Sequence, residues 1–532
     1  MLKLPVMAKG GQEYIEFKRS YSQLEGEAFL EGNEEKGAIR EVEAFIGIYP
    51  FFKITDSSKE HYNDLYKVAV YRAEETPIPT INCYRYQELE TPLDIHWTER
   101  SVGSDSFTFT KYGTLSREAK KDRPIDFDLI QMVIGSQEKS FSGLLIPRWK
   151  EISSLSSSES TIAFDIGTSN TYVAYSSNGN SNIKPLRSYV SDQNKILSGV
   201  AFSHKTKGDN FVASKGTELD FNAYVGEHGT DFLDHQLTEF LPSLFGEGSD
   251  YSFPIPTIIN EDADLDASEL DNLDILSNIN VPIAFDVSGF RKGIDRPSSN
   301  LKWGIAKGDR TAKNRMFALI YQLALMGRNQ LLLEGADPEN TRLVWFKPLS
   351  MGARSLNILS EHWQRVFELF YIKKTGVTHN NLYQITESRA PFHSQEAKFG
   401  KSETYLNIDR GGGTSDVLVF KNENIVLSSS FRFAGNNLFD NGIQKHDRKE
   451  NGFILKFKPI LDSRSGSFNR AIADQIFKSD YLSSADLISH YFSHKEFEEE
   501  LKLDNDFRLL FLIHLSAIFY HTAQLLKIKG IA

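Results

Sequence analysis

The pattern of apolar and polar positions divides the chain into a strand-rich first part and a mixed second part. Up to about residue 150, runs such as "EAFIGIYPFFKI", "LYKVAVYRA" and "SFTFTKYG" carry β-branched and aromatic residues in partial alternation, which is typical of strands. Polar turn clusters such as "SVGSDS" separate these runs. Residues 1–150 are therefore predicted to form a β-rich N-terminal domain, whose role the sequence leaves open.

The serine-rich stretch 151–160 ("EISSLSSSES") has linker composition and marks a predicted domain boundary. From residue 161 onward strand-like and helix-like segments mix, which is typical of an α/β domain. "NRMFALIYQLALMGRNQLLLEG" predicts a helix that stops at Gly335, and "TRLVWFKPLS" predicts a buried strand. "LSEHWQRVFELFYIKKTG" predicts a second helix, ending at Gly376.

Two segments need separate treatment. An acidic insertion at about 220–297 contains "NEDADLDASELDNLDIL" and is predicted to be a solvated surface element, with a cation site as the alternative. The stretch 509–526 ("LLFLIHLSAIFYHTAQLL") contains no Asp, Glu, Lys or Arg, but it carries two His, a Ser, a Thr and a Gln, which are costly in lipid. A buried helix is therefore favoured over a membrane span.

Composition narrows the function classes. At 532 residues the chain is too long for one ordinary core, so roughly two to four domains are expected. The net charge of -11 disfavours nucleic acid or an anionic membrane as the main partner. Cys83 is the only cysteine, which excludes a disulfide within the chain, and the N-terminus lacks the apolar region of a secretion signal. An intracellular, cytoplasmic location is therefore expected.

Two strand–turn–strand segments carry the candidate chemistry. "FDIGTSNTYVAY" contains Asp165, and "NIDRGGGTSDVLVF" contains Asp409. In each segment a strand ends at the aspartate, and a turn rich in Gly and Thr leads into a second strand. Both segments could be ordinary hairpins, because Gly-Thr turns are common. Three consecutive glycines in a strand region cost stability, however, so a ligand that approaches the backbone accounts for them better.

Nucleotide binding is the chemistry that uses this arrangement. Glycine allows the backbone to come close to a ligand, and successive backbone N–H groups in such a turn form a concave site for anions. An aspartate at each strand end suits Mg²⁺, which is bound largely through its waters. Two such turns facing each other would hold a polyphosphate from both sides.

The two hairpins resemble the phosphate-1 and phosphate-2 motifs of the actin-like ATPase superfamily, which includes DnaK-type chaperones, actin and sugar kinases. Four further segments resemble the DnaK-type branch and occur in its order: "LSGVAFSHKTKGDNFVASKGTE", "LVWFKPLSM", "YQITESRAPFHS" and "FRFAGNNLFDNGI". The resemblance covers about 161–532. It implies a bilobal α/β fold, the duplicated ribonuclease H-like fold of this superfamily, preceded here by the β-rich domain.

Carried over position by position, the resemblance implies that Asp165 and Asp409 position Mg²⁺ and its waters. Asp416 and Glu387 would orient water or metal from further out. The family's catalytic lysine corresponds best to Lys302 in "NLKWGIAKG", with a solvated surface lysine as the alternative reading.

The same resemblance assigns the nucleotide contacts. The first turn would lie against the β- and γ-phosphates of ATP or ADP, and the second would oppose it, with Thr414 near the γ-phosphate and the attacking water. Gly435 would lie near the α-phosphate or the sugar. The turn residues are Gly167, Thr168, Ser169 and Asn170 in the first turn and Gly411, Gly412, Gly413 and Thr414 in the second.

The sequence also departs from the family pattern. Arg410 replaces an aliphatic residue inside phosphate 2, where its guanidinium would stay in solvent or meet a phosphate. "GNNLFD" lacks the usual acidic residue and double glycine, and Ser388 and Arg389 replace Pro-Thr after Glu387. The family's last glycine turn, under the adenosine, is expected to be missing, as is the peptide-binding β-sandwich of the chaperones.

The expected function is Mg-ATP binding and hydrolysis, with lobe closure that regulates a partner protein or the N-terminal domain. A non-hydrolysing, nucleotide-gated scaffold is the alternative, and an actin-like filament protein is less favoured. A small-molecule kinase has the same fold, but no convincing base for a substrate hydroxyl is found. The partner and the oligomeric state stay open.

Overall fold

The structure is a computed structural model, and every structural statement below refers to the residues that it describes. These are residues 2–8, 11–17, 44–72, 80–87, 89–93, 100–103, 108–111, 126–135, 140–186, 198–202, 204–207, 210–213, 253–262, 265–270, 275, 279–281, 295–372, 381–390, 404–421, 424–439, 455–457, 459, 499 and 501–531.

Strands and helices mix in the second part of the described chain. The strands are β1 Leu2–Ala8, β2 Gly11–Phe17, β3 Ala44–Tyr49, β4 Phe52–Ile54, β5 Lys67–Arg72, β6 Thr80–Tyr84, β7 Arg100–Gly103, β8 Thr108–Lys111, β9 Leu129–Gly135, β10 Ser140–Leu145, β11 Lys150–Ile152, β12 Ser160–Ile166, β13 Asn170–Ser176, β14 Lys184–Pro185, β15 Ser198–Phe202, β16 His204–Lys207, β17 Asn210–Ala213, β18 Ile255–Pro256, β19 Ile259–Asp262, β20 Ile279–Asn280, β21 Asp295–Ser298, β22 Thr341–Lys347, β23 Leu382–Thr386, β24 Tyr405–Arg410, β25 Ser415–Lys421 and β26 Asn424–Phe431. The α-helices are α1 Leu301–Gly304, α2 Arg310–Leu333, α3 Ala353–Phe370, α4 Gly435–Leu438 and α5 Asn505–Ile528.

The main sheet has the strand order β14-β13-β12-β22-β23, and β18 pairs with the start of β13. β12 and β13 form an antiparallel hairpin, while β22 runs parallel to β12 and β23 runs parallel to β22. Apolar side chains alternate along β12, so that Ile162, Phe164 and Ile166 are all buried. The carboxyl ends of β12, β22 and β23 therefore lie at one edge of the sheet.

Helix α2 packs against this sheet and lies in the main core. Asp309 caps its N-terminus by accepting a hydrogen bond of 2.6 Å from the backbone N–H of Ala312. Every residue from Met316 to Leu333 is buried, and Gly335 follows the helix in the left-handed conformation with φ of 73°. The predicted helix with its stop at Gly335 is confirmed, as is the buried strand, which is β22.

Helix α3 is the second predicted helix. It begins at Ala353, earlier than the predicted start, and ends at Phe370; the predicted end at Gly376 lies outside the described residues. Its buried stripe includes Trp363, Val366 and Phe370, which contact the same core as α2. The mixed α/β character predicted for this part is confirmed. The bilobal arrangement stays a prediction.

A second, antiparallel sheet has the order β24-β25-β26. It holds the second glycine turn, and its apolar residues Val417, Val419 and Leu427 form a small core. Leu525 and Leu526 of α5 pack against that core. This sheet and the main sheet thus each contain one of the two predicted hairpins.

Part of the described N-terminal region contacts the main core. Phe52 and Tyr62 belong to the same buried cluster as Ile162. The guanidinium of Arg328 in α2 donates a hydrogen bond of 2.5 Å to the carboxylate of Asp64, and both side chains are buried. β15 also pairs with β3, across the stretch 151–160. The predicted domain boundary at 151–160 stays a prediction, and the contacts across it are buried ones.

The prediction of a solvated acidic element at about 220–297 is wrong for several of its described residues, although others are exposed. Ile255, Ile259 and Ile279 are completely buried in the main core. Glu261 is also completely buried, where the guanidinium of Arg315 donates to both of its carboxylate oxygens. The buried apolar positions that lie between the acidic ones hold this segment on α2.

The prediction that 509–526 forms a buried helix is half wrong: the helix exists, but most of it is exposed. One stripe of α5 faces the β24-β26 sheet, with His514 stacked on Phe433 and Ile518 buried. Leu512 and Phe519, on the other side, are 60% and 57% exposed. By length and composition alone α5 is also long and apolar enough to cross a membrane.

Candidate functional site

The first glycine turn joins β12 to β13. The backbone N–H of Gly167 donates a hydrogen bond of 2.9 Å to the carbonyl of Asn170, which closes the turn. Thr257 holds the turn from outside: its N–H donates to the carbonyl of Ser169 at 2.8 Å, and its hydroxyl donates to the carbonyl of Gly167 at 3.1 Å. Thr168 and Ser169 are buried, so their hydroxyl groups are fixed in the turn.

The second glycine turn, between β24 and β25, repeats this geometry. The N–H of Gly411 donates a hydrogen bond of 2.9 Å to the carbonyl of Thr414, as Gly167 does to Asn170. In each hairpin an aspartate lies two residues before that glycine, Asp165 in one case and Asp409 in the other. Two segments far apart in the chain therefore form equivalent turns.

The two turns lie in direct contact with each other. A Cβ atom added to Gly412 would come closer than 3.0 Å to the Ser169 hydroxyl oxygen, and one added to Gly413 would do the same at Thr168. Any other residue at these two positions would push the turns apart. The close approach explains why the second turn consists of consecutive glycines.

The segment after β26 supports the second turn. The N–H of Gly435 donates to the carbonyl of Gly411 at 3.0 Å, and the N–H of Asn436 donates to the carbonyl of Gly412 at 2.7 Å. Gly435 thus lies at the second turn, as the resemblance implies for a residue near the nucleotide. Its expected contact with an α-phosphate or sugar stays a prediction.

Lys302 lies beside the turns and is buried. Only 2% of its surface is exposed, so the alternative of a solvated surface lysine is wrong. Its ammonium forms an ion pair with the carboxylate of Glu387, which comes directly after β23 at the carboxyl edge of the parallel strands. Asn300, just before α1, adopts a left-handed conformation with φ of 56°, which sets the start of the helix that carries Lys302.

Four carboxylates and this one ammonium form an electrostatically coupled group. Burial raises the pKa of Glu387 to about 7; Lys302 opposes that shift, and the charges of Asp416 and Asp165 add to it. The side chain of Asp165 is exposed, yet desolvation by the surrounding protein still raises its pKa; Lys302 opposes that shift, and Asp409 and Asp416 add to it. The predicted residues Asp165, Asp409, Asp416, Glu387 and Lys302 are therefore brought together.

The donor set suits Mg²⁺ that is bound mainly through water and phosphate. Asp416 is 4% exposed, and its Oδ1 atom has no hydrogen-bond partner within the described part of the chain. Burial raises the pKa of this carboxyl group. Among the residues described, no three His, Cys, Asp or Glu side chains lie close enough together to bind a metal ion directly. Carboxylates that reach the ion through its waters agree with both observations.

Arg410 takes neither of the two positions that the sequence left open. Its guanidinium lies over the ring of Phe511 in α5, at 5.1 Å from the ring centroid. Desolvation there lowers its pKa. Side chains alternate along β24, so that Arg410 faces the helix while its neighbour Asp409 interacts with the carboxylates of the site.

Sequence reasoning missed two residues of the site. Thr257 lies in the acidic insertion, and nothing in its sequence context indicates that it supports a turn 90 positions away. Trp303 donates a hydrogen bond of 2.9 Å from its indole N–H to the hydroxyl of Thr168. The available signal was its position next to the candidate lysine, because the indole N–H of a tryptophan that is removed from water usually finds a hydrogen-bond partner.

Comparisons with known proteins give few leads. No protein-family model matches the sequence, and no curated protein matches it significantly. Structural similarity is found to MreB5 of Spiroplasma citri bound to ADP, with 12% identity, a TM-score of 0.29 and 58% of each chain covered. It is also found to MreB 5 of the same organism bound to AMPPNP, with 14% identity, a TM-score of 0.32, and 69% of this chain and 79% of that chain covered.

A third similar structure is the Ppx/GppA phosphatase of Aquifex aeolicus, with 10% identity, a TM-score of 0.22, and 57% of this chain and 62% of that chain covered. The matched region thus spans about three fifths of the phosphatase and of the ADP-bound MreB5 structure.

Proposed function

We propose that the chain binds Mg-ATP at the two glycine turns, whose direct contact has to open to admit the phosphates, and hydrolyses it, as an actin-like ATPase with DnaK-like lobes. The observation that carries the proposal is the direct contact between two equivalent turns, Gly412 against Ser169 and Gly413 against Thr168. The strand order β14-β13-β12-β22-β23 supports it, since it fits one half of the duplicated fold that the resemblance implies.

Each group at the site has a role in this proposal. The backbone N–H groups and hydroxyls of the turns bind phosphate oxygens and fix the terminal phosphate for in-line attack by water. Lys302 stabilises negative charge on the transferring phosphoryl group. Glu387, whose pKa is raised to about 7, orients the attacking water or accepts its proton. Asp165 and Asp409 would hold Mg²⁺ through its waters, and the ion would supply further charge neutralisation.

Helix α2 offers a mechanical route from the site to the N-terminal strands. It begins shortly after the segment that carries Lys302, and at about 1.5 Å per residue its 24 residues extend over about 36 Å. Near its far end, Arg328 binds Asp64 in a buried ion pair. We infer that lobe closure moves this helix and so acts on residues 44–72 or on a partner protein bound there.

Mg-dependent phosphate release tests the ATPase proposal. Asp165→Ala and Asp409→Ala are each expected to lower the turnover about 100-fold, while Asp266→Asn, an exposed carboxylate elsewhere, leaves it unchanged. Equal turnover in the wild-type protein and all three variants would contradict hydrolysis at this site.

A second candidate is a nucleotide-gated binding protein that does not hydrolyse ATP. The ion pair between Lys302 and Glu387 favours it, because a lysine that is already neutralised contributes less to a developing phosphate charge. Calorimetric binding of ATP to the wild-type protein, without phosphate release over hours, would support this alternative over the ATPase.

A further inference from the structure

Trp303 lies where the two glycine turns meet. Its indole N–H donates to the hydroxyl of Thr168 in the first turn. A Cβ atom added to Gly413 in the second turn would lie 2.7 Å from the same indole nitrogen. The edge of the indole ring therefore touches both turns, and its face is left for another partner.

Arg432 occupies that face. Its guanidinium lies 4.4 Å from the centroid of the Trp303 ring, within the range of a cation–π contact. Arg432 comes directly after β26, three residues before Gly435, whose N–H donates to the second turn. The side chain is exposed, and no ion pair involving it is found in the described part of the chain. Stacking on an indole leaves the N–H groups at the guanidinium edge available to a ligand.

The site carries an excess of negative charge, which a further cationic side chain would offset. Lys302 is paired with Glu387 and also lies near the carboxylates of Asp165 and Asp416, so the site is rich in negative charge. A nucleoside triphosphate adds roughly three to four negative charges. Arg410, the other arginine close to the second turn, lies against Phe511 on the opposite side of its strand. Arg432, in contrast, lies on the ring of Trp303, whose edge touches both turns, and no ion pair of its guanidinium is found in the described part of the chain.

We propose that Arg432, held in place by Trp303, donates hydrogen bonds to the terminal phosphate of the nucleotide. The proposal rests on the proposed function, since it names a further ligand for the same nucleotide. Arg432 neutralises charge that Lys302, paired with Glu387, leaves in place. Binding of the phosphate places negative charge at the guanidinium stacked on the indole and competes for the Thr168 hydroxyl, so Trp303 changes its environment when ATP binds.

The test compares ATP with ADP in calorimetry, using wild-type protein, Arg432→Gln, Arg432→Lys and the matched surface control Arg342→Gln. Arg432→Gln is expected to weaken ATP binding about 10-fold or more and ADP binding much less, because the terminal phosphate is the one contacted. Arg432→Lys, which keeps the charge but not the fork, is expected to be intermediate, and Arg342→Gln to match the wild type. Urea unfolding of each variant checks that the exposed substitution leaves the fold intact.

Tryptophan fluorescence gives an independent readout. ATP is expected to change the emission of the wild-type protein and of Arg342→Gln, and this change is expected to disappear in Trp303→Phe and to shrink in Arg432→Gln.

The outcomes separate the two proposals. Equal losses for ATP and ADP in Arg432→Gln, or wild-type affinity for both, would overturn the role of Arg432 and leave nucleotide binding standing. No binding of ATP to the wild-type protein would overturn both.

Discussion

Gly413 and the hydroxyl of Thr168 lie so close together that a single Cβ atom would not fit between them. The contact joins two segments that the chain separates widely, and a tryptophan edge closes it from the side. Close packing of this kind transmits small displacements, because the groups involved have no room to adjust independently. The site therefore depends on the absence of side chains at two positions as much as on the presence of charged groups around them.

Gly413→Ala is expected to lower the free energy of unfolding by about 1–3 kcal/mol and to weaken ATP binding, because the added methyl group overlaps Thr168 and Trp303. Chemical denaturation and calorimetry measure the two effects. Gly352→Ala is the matched control, since no atom lies within 4 Å of its added Cβ; a loss of less than about 1 kcal/mol is expected there.

A double-mutant cycle sharpens this test at the neighbouring glycine. The Cβ of Gly412→Ala would overlap the hydroxyl of Ser169, which Ser169→Ala removes. The loss in free energy of unfolding of the double variant is therefore expected to be smaller than the sum of the two single losses by about 0.5–3 kcal/mol. Strictly additive effects would mean that the two turns do not touch.

Glu261→Gln is expected to lower the free energy of unfolding by about 3 kcal/mol. The substitution removes the charge that the guanidinium of Arg315 binds at a completely buried position. Glu269→Gln, at an exposed position in the same acidic insertion, is expected to change stability by less than about 0.5 kcal/mol. Thermal or urea unfolding of the two variants measures both effects. Equally small losses of stability would show that Glu261 is solvated like Glu269.

Arg328→Met is expected to cost about 3–5 kcal/mol of stability, because it leaves the carboxylate of Asp64 buried without its cation. Adding Asp64→Asn is expected to restore part of that loss. Arg342→Met removes a surface pair with Glu159, in which both side chains are about half exposed, and is expected to cost at most about 1 kcal/mol. Similar losses in the two arginine variants would contradict a buried contact between α2 and the N-terminal strands.

Acid pH is expected to destabilise the protein through His362. Burial lowers the pKa of this imidazole from 6.5 to about 4. Below pH 6.5 the unfolded chain binds a proton that the folded chain does not, so stability falls until the pH reaches about 4 and then levels off. The loss at pH 4 is about 3 kcal/mol. In His362→Gln this contribution is absent, so the stability difference between variant and wild type should shift in favour of the variant as the pH falls from 7 to 4. A constant difference over that range would contradict the assignment.

The parts that the sequence predicts well are those whose pattern is local. The long apolar stretch of α2 and its glycine stop, the apolar run of β22 and the two glycine turns are all visible within short windows. Lys302 was found by resemblance to a short segment, although the sequence alone did not exclude a surface position.

The parts that it does not predict depend on contacts between distant segments. Thr257 supports the first turn from within an acidic stretch, and acidic composition concealed the buried isoleucines beside it. Arg410 finds Phe511 about a hundred positions further on, a contact that no local pattern encodes. Helix α5 was predicted from its composition, but which side of it faces protein is set by the β24-β26 sheet rather than by its own sequence.

Cys83 lies in β6, paired with Ile130 of β9, and none of its surface is exposed. Burial raises the pKa of its thiol, so the reactive thiolate forms only when these strands separate. Since the chain has no other cysteine, a thiol reagent labels only Cys83, and the labelling rate measures how often this one sheet opens. The labelling rate of Cys83 in the unmodified protein therefore reports how often these N-terminal strands separate. A difference between the rates with and without ATP would show that nucleotide binding at the glycine turns affects them.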